Sequence, residues 1–134
     1  MKLKKNLIAI ATLFVAAAFM SLRPAEKVIT EVNGVTVINT TTLADDVEGY
    51  AGPTPLKIYI KDNKVEKVEA LKNDETPKYL AIIKRNLLTK WNGLTAKKAA
   101  TQKVDIITGA TYTSESIIEN VKRGLVYYNK NAKQ

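Results

Sequence analysis

Ten consecutive residues hold most of the chemistry this 134-residue chain can offer: Asp105-Ile106-Ile107-Thr108-Gly109-Ala110-Thr111-Tyr112-Thr113-Ser114. Five hydroxyls (Thr108, Thr111, Tyr112, Thr113 and Ser114) crowd around one Gly-Ala step, just ahead of a run with helical periodicity. A helix start presents unpaired N–H groups and the positive end of the helix dipole, so it suits an anion. Gly109 and Ala110 let a bulky ligand come close to the backbone. A phosphate group is the natural guest. The same pattern also describes a helix start with more capping groups than it needs.

What the chain lacks narrows the chemistry further. It has no cysteine and no histidine. That excludes disulfides, thiolate nucleophiles, Cys-ligated iron–sulfur clusters, zinc sites of the Cys/His type, c-type haem attachment and the Ser-His-Asp triad. It also removes the side chain that most often serves as a general base near neutral pH. Demanding chemistry on this chain calls for an organic cofactor. At 46% hydrophobic and 25% charged, the composition is that of one folded domain.

The elements that position these residues can be read from periodicity. Two β-branched runs, 27–32 and 35–38, flank Asn33-Gly34, a strong hairpin signal. Residues 39–55 are loop-like and contain Gly49-Tyr50-Ala51-Gly52-Pro53. Alternating runs at 56–61 and 65–71, joined by Asp62-Asn63-Lys64, predict a second hairpin with one apolar face. Its lysines Lys57, Lys61, Lys64 and Lys67 read as a solvated face. Asn73-Asp74-Glu75-Thr76-Pro77 then opens a helix over 77–91, with Thr76 as N-cap, Pro77 at the first helical position and a stripe of Leu80, Ile83, Leu87 and Trp91. A short helix over 94–101 follows, capped by Thr95. A long one over 113–130 buries Ile117, Ile118, Val121, Leu125 and Tyr128, with Thr113 or Ser114 as its cap and fraying from Asn129 onward. Hairpins followed by helices predict an α+β domain: an antiparallel sheet packed with two main helices.

The first 22 residues differ from the rest. Lys2, Lys4 and Lys5 precede an uncharged run over 7–20, with Ala16 and Ala18 as a small-x-small site. This is the layout of a secretory signal peptide or an uncleaved signal anchor. The run is shorter than the ~20 apolar residues of a membrane span. Residues 23–134 then form a single extracytoplasmic domain, in the periplasm or at the cell surface. Export also argues against nucleic acid as the partner for a formal charge of +8.

Asp105-x-x-Thr108-Gly109-Ala110-Thr111 resembles the covalent flavinylation motif of FMN-binding domain proteins. That family is related to the FMN-carrying subunits of the sodium-translocating NADH:quinone reductase and of the Rnf complex. Gly49-Tyr50-Ala51-Gly52-Pro53 is similar to the family's Gly-Tyr-x-Gly-Pro segment, and Glu75-Thr76-Pro77 to its Glu-Thr-Pro segment, in the family's order. The family commonly continues with Gly where this chain has Lys78-Tyr79. The resemblance implies covalent FMN, attached through its phosphate to Thr111 by a flavin transferase, with Asp105, Thr108, Gly109 and Ala110 as the recognition element. Tyr112, Thr113, Ser114, Gly49, Tyr50, Gly52, Glu75 and Thr76 complete the implied cofactor site, and Glu75 is a candidate for binding a flavin or ribityl hydroxyl. Tyr50, Tyr112 and Trp91 are candidate ring contacts, although Trp91 also falls on the buried helix stripe. The implied role is electron transfer with a membrane or extracytoplasmic redox partner, as an electron-transfer flavoprotein rather than a stand-alone enzyme. The alternatives are a flavinylated accessory subunit of a reductase and a non-redox α+β binding module.

Overall fold

The structure, a computed structural model, describes residues 27–132. The signal peptide or anchor expected over 1–22 lies outside the described residues. Four strands, β1 (Ile29–Val32), β2 (Val35–Asn39), β3 (Leu56–Lys61) and β4 (Lys64–Ala70), form one antiparallel sheet in the order β1-β2-β3-β4. Three helices follow: α1 (Pro77–Asn86), α2 (Ala96–Thr101) and α3 (Thr111–Asn131). This is the α+β architecture expected from the sequence, and α1 and α3 are its two main helices.

Both hairpins turn on residues in the left-handed region. Asn33 (φ +51°) and Gly34 (φ +79°) join β1 to β2, as the Asn-Gly pair predicts. Asp62 (φ +50°) and Asn63 (φ +62°) join β3 to β4. The second loop is therefore two residues long, not three, and Lys64 pairs with Lys61 as the first residue of β4. A register shift between Tyr59 and Ile60 leaves Glu66 without an opposite residue, because Tyr59 pairs with Lys67 and Ile60 with Val65. This bulge lets Val65 and Val68, three apart, both face the core (1% and 7% exposed).

The core lies between one face of the sheet and the helices. Ile38, Leu56, Ile58 and Ile60 pack in one buried cluster with Ile83, Leu87, Ile117, Val121 and Leu125. Each such side chain contributes about 1.5–3 kcal/mol by leaving water. Trp91 belongs to this cluster at 1% exposure, so it is a packing residue and not a ring contact for a ligand. Helix α3 comes very close to the sheet at Gly124. A Cβ there would lie 2.6 Å from Ile58 Cδ1 and 3.0 Å from Thr40 Cγ2.

Four helix boundaries differ from the sequence reading, one of them the start of α2, at Ala96 rather than 94. Helix α1 stops at Asn86 rather than continuing to 91. The chain must turn there so that Gly93 N can donate to Val65 O and Leu94 O can accept from Val65 N, both at 2.8 Å, extending the sheet edge beside β4. Helix α3 begins at Thr111, two residues earlier than expected. It also remains helical to Asn131, where fraying was expected: Asn129 Nδ2 donates to Ala96 O at 3.2 Å and ties the last turn to α2. Thr95 caps α2 as expected, accepting from Lys98 N at 3.2 Å.

Candidate functional site

The loop after β2, the start of α1 and the start of α3 converge on one cleft of about 400 Å³. Its lining is Tyr50, Thr76, Tyr79, Gly109, Ala110, Thr111, Tyr112 and Thr113. The volume falls within the range of small-molecule sites, roughly 300–1,000 Å³. Three tyrosines on its walls remain well exposed: Tyr50 at 75%, Tyr112 at 64% and Tyr79 at 42%. Three aromatic side chains around one concavity, Tyr50 and Tyr112 largely uncovered, are suited to grip a flat aromatic ligand.

Helix α3 starts at the cleft without a side-chain cap. Ala110 holds the N-cap position and makes no side-chain hydrogen bond, and Ser114 N bonds back to Ala110 O at 2.9 Å. Thr113 and Ser114, the expected caps, do other work. Thr113 Oγ1 donates to Glu75 Oε1 at 2.8 Å. Ser114 Oγ accepts from Ile107 N at 3.0 Å and pins the incoming chain against the helix. Both lie inside the first turn rather than at its cap, Thr113 bonded to a residue 38 positions earlier and Ser114 to one seven positions earlier. The first-turn N–H groups thus have neither an intrahelical acceptor nor a capping side chain. Thr111, the first helical residue, is exposed beside them.

Glu75 organises the cleft from behind. It is 5% exposed and does not line the cavity. Its Oε1 accepts from Tyr50 N (2.8 Å) as well as from Thr113, and its Oε2 accepts from Ala51 N (2.6 Å). One carboxylate therefore joins the three segments that the sequence singles out. Its lone pairs are engaged by the protein itself rather than directed at the cavity. Gly49 is required for this arrangement: a Cβ there would lie 2.1 Å from Glu75 Oε1. Gly49 N also donates to Gly52 O at 2.7 Å, closing the turn that presents Tyr50.

A buried polar ladder carries the organisation deeper. Thr54 Oγ1 and Ser116 Oγ lie 2.6 Å apart, and Thr40 Oγ1 donates to Asn120 Oδ1 at 2.6 Å. Asn120 Nδ2 donates to Ser116 O at 2.8 Å, and Thr40 Oγ1 accepts from Leu56 N at 2.9 Å. Among the described residues no buried side-chain polar atom lacks a partner. The ladder fixes α3, and with it Thr111, against the loops before β3.

The residues singled out in the sequence thus separate into groups. Tyr50, Thr76, Gly109, Ala110, Thr111, Tyr112 and Thr113 meet at the cleft. Gly49, Gly52, Glu75 and Ser114 hold its walls from outside the lining. Asp105 and Thr108 are exposed and do not line it. Thr76 occupies the N-cap position of α1 without a side-chain capping bond, which leaves its hydroxyl at the cleft. Sequence reasoning missed Tyr79, although its i, i+3 spacing from Thr76 puts both on one face of the first turn. It also missed Ser116, Asn120 and Gly124. With Thr113 they form a small and polar stripe at helical spacing beside the apolar one.

The fold and the cleft define a small α+β domain in which exposed tyrosines, suited to a flat aromatic group, stand beside a helix start that favours an anion. The family model described as FMN-binding domain matches residues 49–126, more than half of the chain; the chain belongs to the FMN-binding domain family and is a flavin-binding protein. No curated protein and no solved structure matches it. The residues present fit this cofactor: uncovered tyrosines for an isoalloxazine, and unpaired first-turn amides beside a hydroxyl for a phosphate.

Proposed function

We propose that this protein is an exported electron-transfer flavoprotein that carries FMN covalently on Thr111. The observation that carries this reading is the position of Thr111: an exposed hydroxyl on the rim of the tyrosine cleft, at a helix start whose amides have no other partner. When bound, FMN supplies one- and two-electron redox chemistry through its ring.

The chain's own residues have simpler tasks. Thr111 Oγ would hold the FMN phosphate as a phosphoester, formed in exchange for the phosphoanhydride P–O bond of a flavin dinucleotide donor. The hydroxyl proton would leave with the departing nucleoside monophosphate. The first-turn amides of α3 stabilise the phosphate oxygens. Tyr50, Tyr79 and Tyr112, which line the cleft, would hold the ring and limit its access to water. Attachment through the phosphate leaves the ring chemistry intact and keeps the cofactor on a protein outside the cell membrane. None of these tasks needs Cys or His. The apolar segment over 1–22 supports export, with the domain either released or held by an uncleaved anchor.

The test is co-expression with a flavin transferase, followed by full denaturation. The expected result is flavin fluorescence that stays with the wild-type chain and is lost in Thr111→Ala. Flavin retained by Thr111→Ala moves the attachment site elsewhere. A wild-type chain that releases all its flavin on denaturation overturns covalent attachment.

A further inference from the structure

Positive charge in this domain is concentrated in one stretch. Residues 76–104 contain seven Lys/Arg and no Asp or Glu, whereas the other described residues carry nine Lys/Arg and twelve Asp/Glu. Part of this stretch borders a second groove, of about 460 Å³, between the end of α1 and residues 102–107. Arg85, Lys90 and Lys103 line it, with Asp105 and Ile106 also contributing to its walls. Among the described residues none of Arg85, Lys90, Lys103 or Asp105 forms an ion pair. Ile106 is 44% exposed, an apolar contact within a charged surround. Elsewhere the exposed Lys67 and the half-buried Arg123 do find carboxylates.

We propose that this groove is the docking site for an acidic surface of the flavin transferase that modifies Thr111, with Arg85, Lys90 and Lys103 as the docking cations. The inference rests on the Thr111 reading above. Two observations select this partner over a redox partner. The groove shares no lining residue with the tyrosine cleft, so its cations are not the residues that face the flavin. A redox partner must instead approach the ring. The groove wall is also formed by Asp105 and Ile106, the first residues of the flavinylation motif, six and five positions before Thr111. A partner held there reads Asp105 directly, which accounts for a motif residue that lies outside the cofactor cleft. Unpaired cations around a concave surface steer an acidic partner and set its register. In the transfer itself, a flavin dinucleotide loses its phosphoanhydride P–O bond, the P–O bond to Thr111 Oγ forms, and the hydroxyl proton goes to the departing nucleoside monophosphate.

The experiment uses the full chain, purified transferase and flavin dinucleotide, and follows the initial rate of covalent incorporation as a function of acceptor-chain concentration. The variants are the triple Arg85→Glu/Lys90→Glu/Lys103→Glu and a control of equal charge change, Lys61→Glu/Lys64→Glu/Lys72→Glu, on exposed positions away from the groove. The groove variant is expected to raise KM for the acceptor chain by about tenfold or more, with kcat within about twofold. The control should change KM by less than about twofold, and added salt should raise the wild-type KM toward that of the groove variant. A neutral triple, with Gln at the same three groove positions, should fall between. Equal KM values for the groove and control variants overturn the docking site, as does a loss of kcat at unchanged KM. A wild-type chain that accepts no flavin overturns the Thr111 reading itself and this inference with it.

Discussion

The hydroxyl of Thr113, on the first turn of α3, donates at 2.8 Å to Oε1 of Glu75, 38 residues earlier in the chain. Through the same carboxylate, Tyr50 and Ala51 are held by their backbone amides. The wall carrying Tyr50 and the helix start carrying Thr111 are thereby fixed to one buried group.

Removing that group should be costly. Glu75→Ala leaves two backbone amides and a hydroxyl without their acceptor in a site that is 5% exposed. The expected loss is about 2–4 kcal/mol of unfolding free energy, measured by denaturant titration. Thr113→Val should cost about 1–2 kcal/mol. In a double-mutant cycle the two losses should not add, because the second mutation removes a partner already gone. Fully additive losses would show that the contact carries no coupling.

Gly49→Ala tests the same wall sterically. The new Cβ would meet Glu75 Oε1, so either Glu75 or the loop must move. The expected outcome is a stable fold with weakened binding of free FMN before covalent loading, or a loss of about 1–3 kcal/mol if the loop resists. Gly124→Ala presses instead on Ile58 and Thr40, outside the cleft. It should cost a similar amount of stability while leaving flavin binding by the folded fraction unchanged. Flavin titration of both variants beside their melting curves separates the two effects.

Replacing the tyrosines one at a time by Ala should expose the flavin ring without detaching it. Tyr50→Ala, Tyr79→Ala and Tyr112→Ala are expected to keep full flavin content after covalent loading and to raise flavin fluorescence several-fold in the native state. Loss of bound flavin on denaturation of these variants would contradict attachment through the phosphate.

The pair Arg123–Asp46 gives a pH dependence. The Arg123 hydrogen bond holds the Asp46 carboxyl below its ordinary value. A lowered folded pKa means the pair stabilises above the ordinary Asp range and loses that contribution as pH falls through the folded value. Asp46→Asn should therefore lower Tm slightly at neutral pH, with the difference fading as pH drops below about 4. Because Asp46 is well exposed, the effect is small and salt-sensitive. A difference that grows on acidification would contradict this sign.

Much of the sheet was legible because its signals are local. Asn33-Gly34 marked one hairpin, and alternating residues gave the inward face of β3. The apolar stripe of α3 was equally plain. The roles of the hydroxyls were not. Thr113 and Ser114 look like caps to any local rule, but the helix starts two residues earlier, and their hydroxyls bond to Glu75, 38 positions back, and to Ile107 in the incoming loop. Thr40, Thr54, Ser116 and Asn120 escaped notice for the same reason, since their hydrogen bonds span 62 to 80 residues. The early end of α1 follows from pairing between Leu94 and Val65, which no helical periodicity reveals. Tyr79 was overlooked because it stands where the resembling segment of the family carries small residues, so its place in the cleft emerges only from the fold.

The most direct measurement is peptide-resolved mass spectrometry of the denatured chain after loading with flavin transferase. The expected result is a mass increase equal to FMN minus water on the single peptide containing Thr111, absent from Thr111→Ala. An unmodified Thr111 peptide in a preparation that binds flavin, or the same increase on a different residue, would contradict covalent attachment at this site.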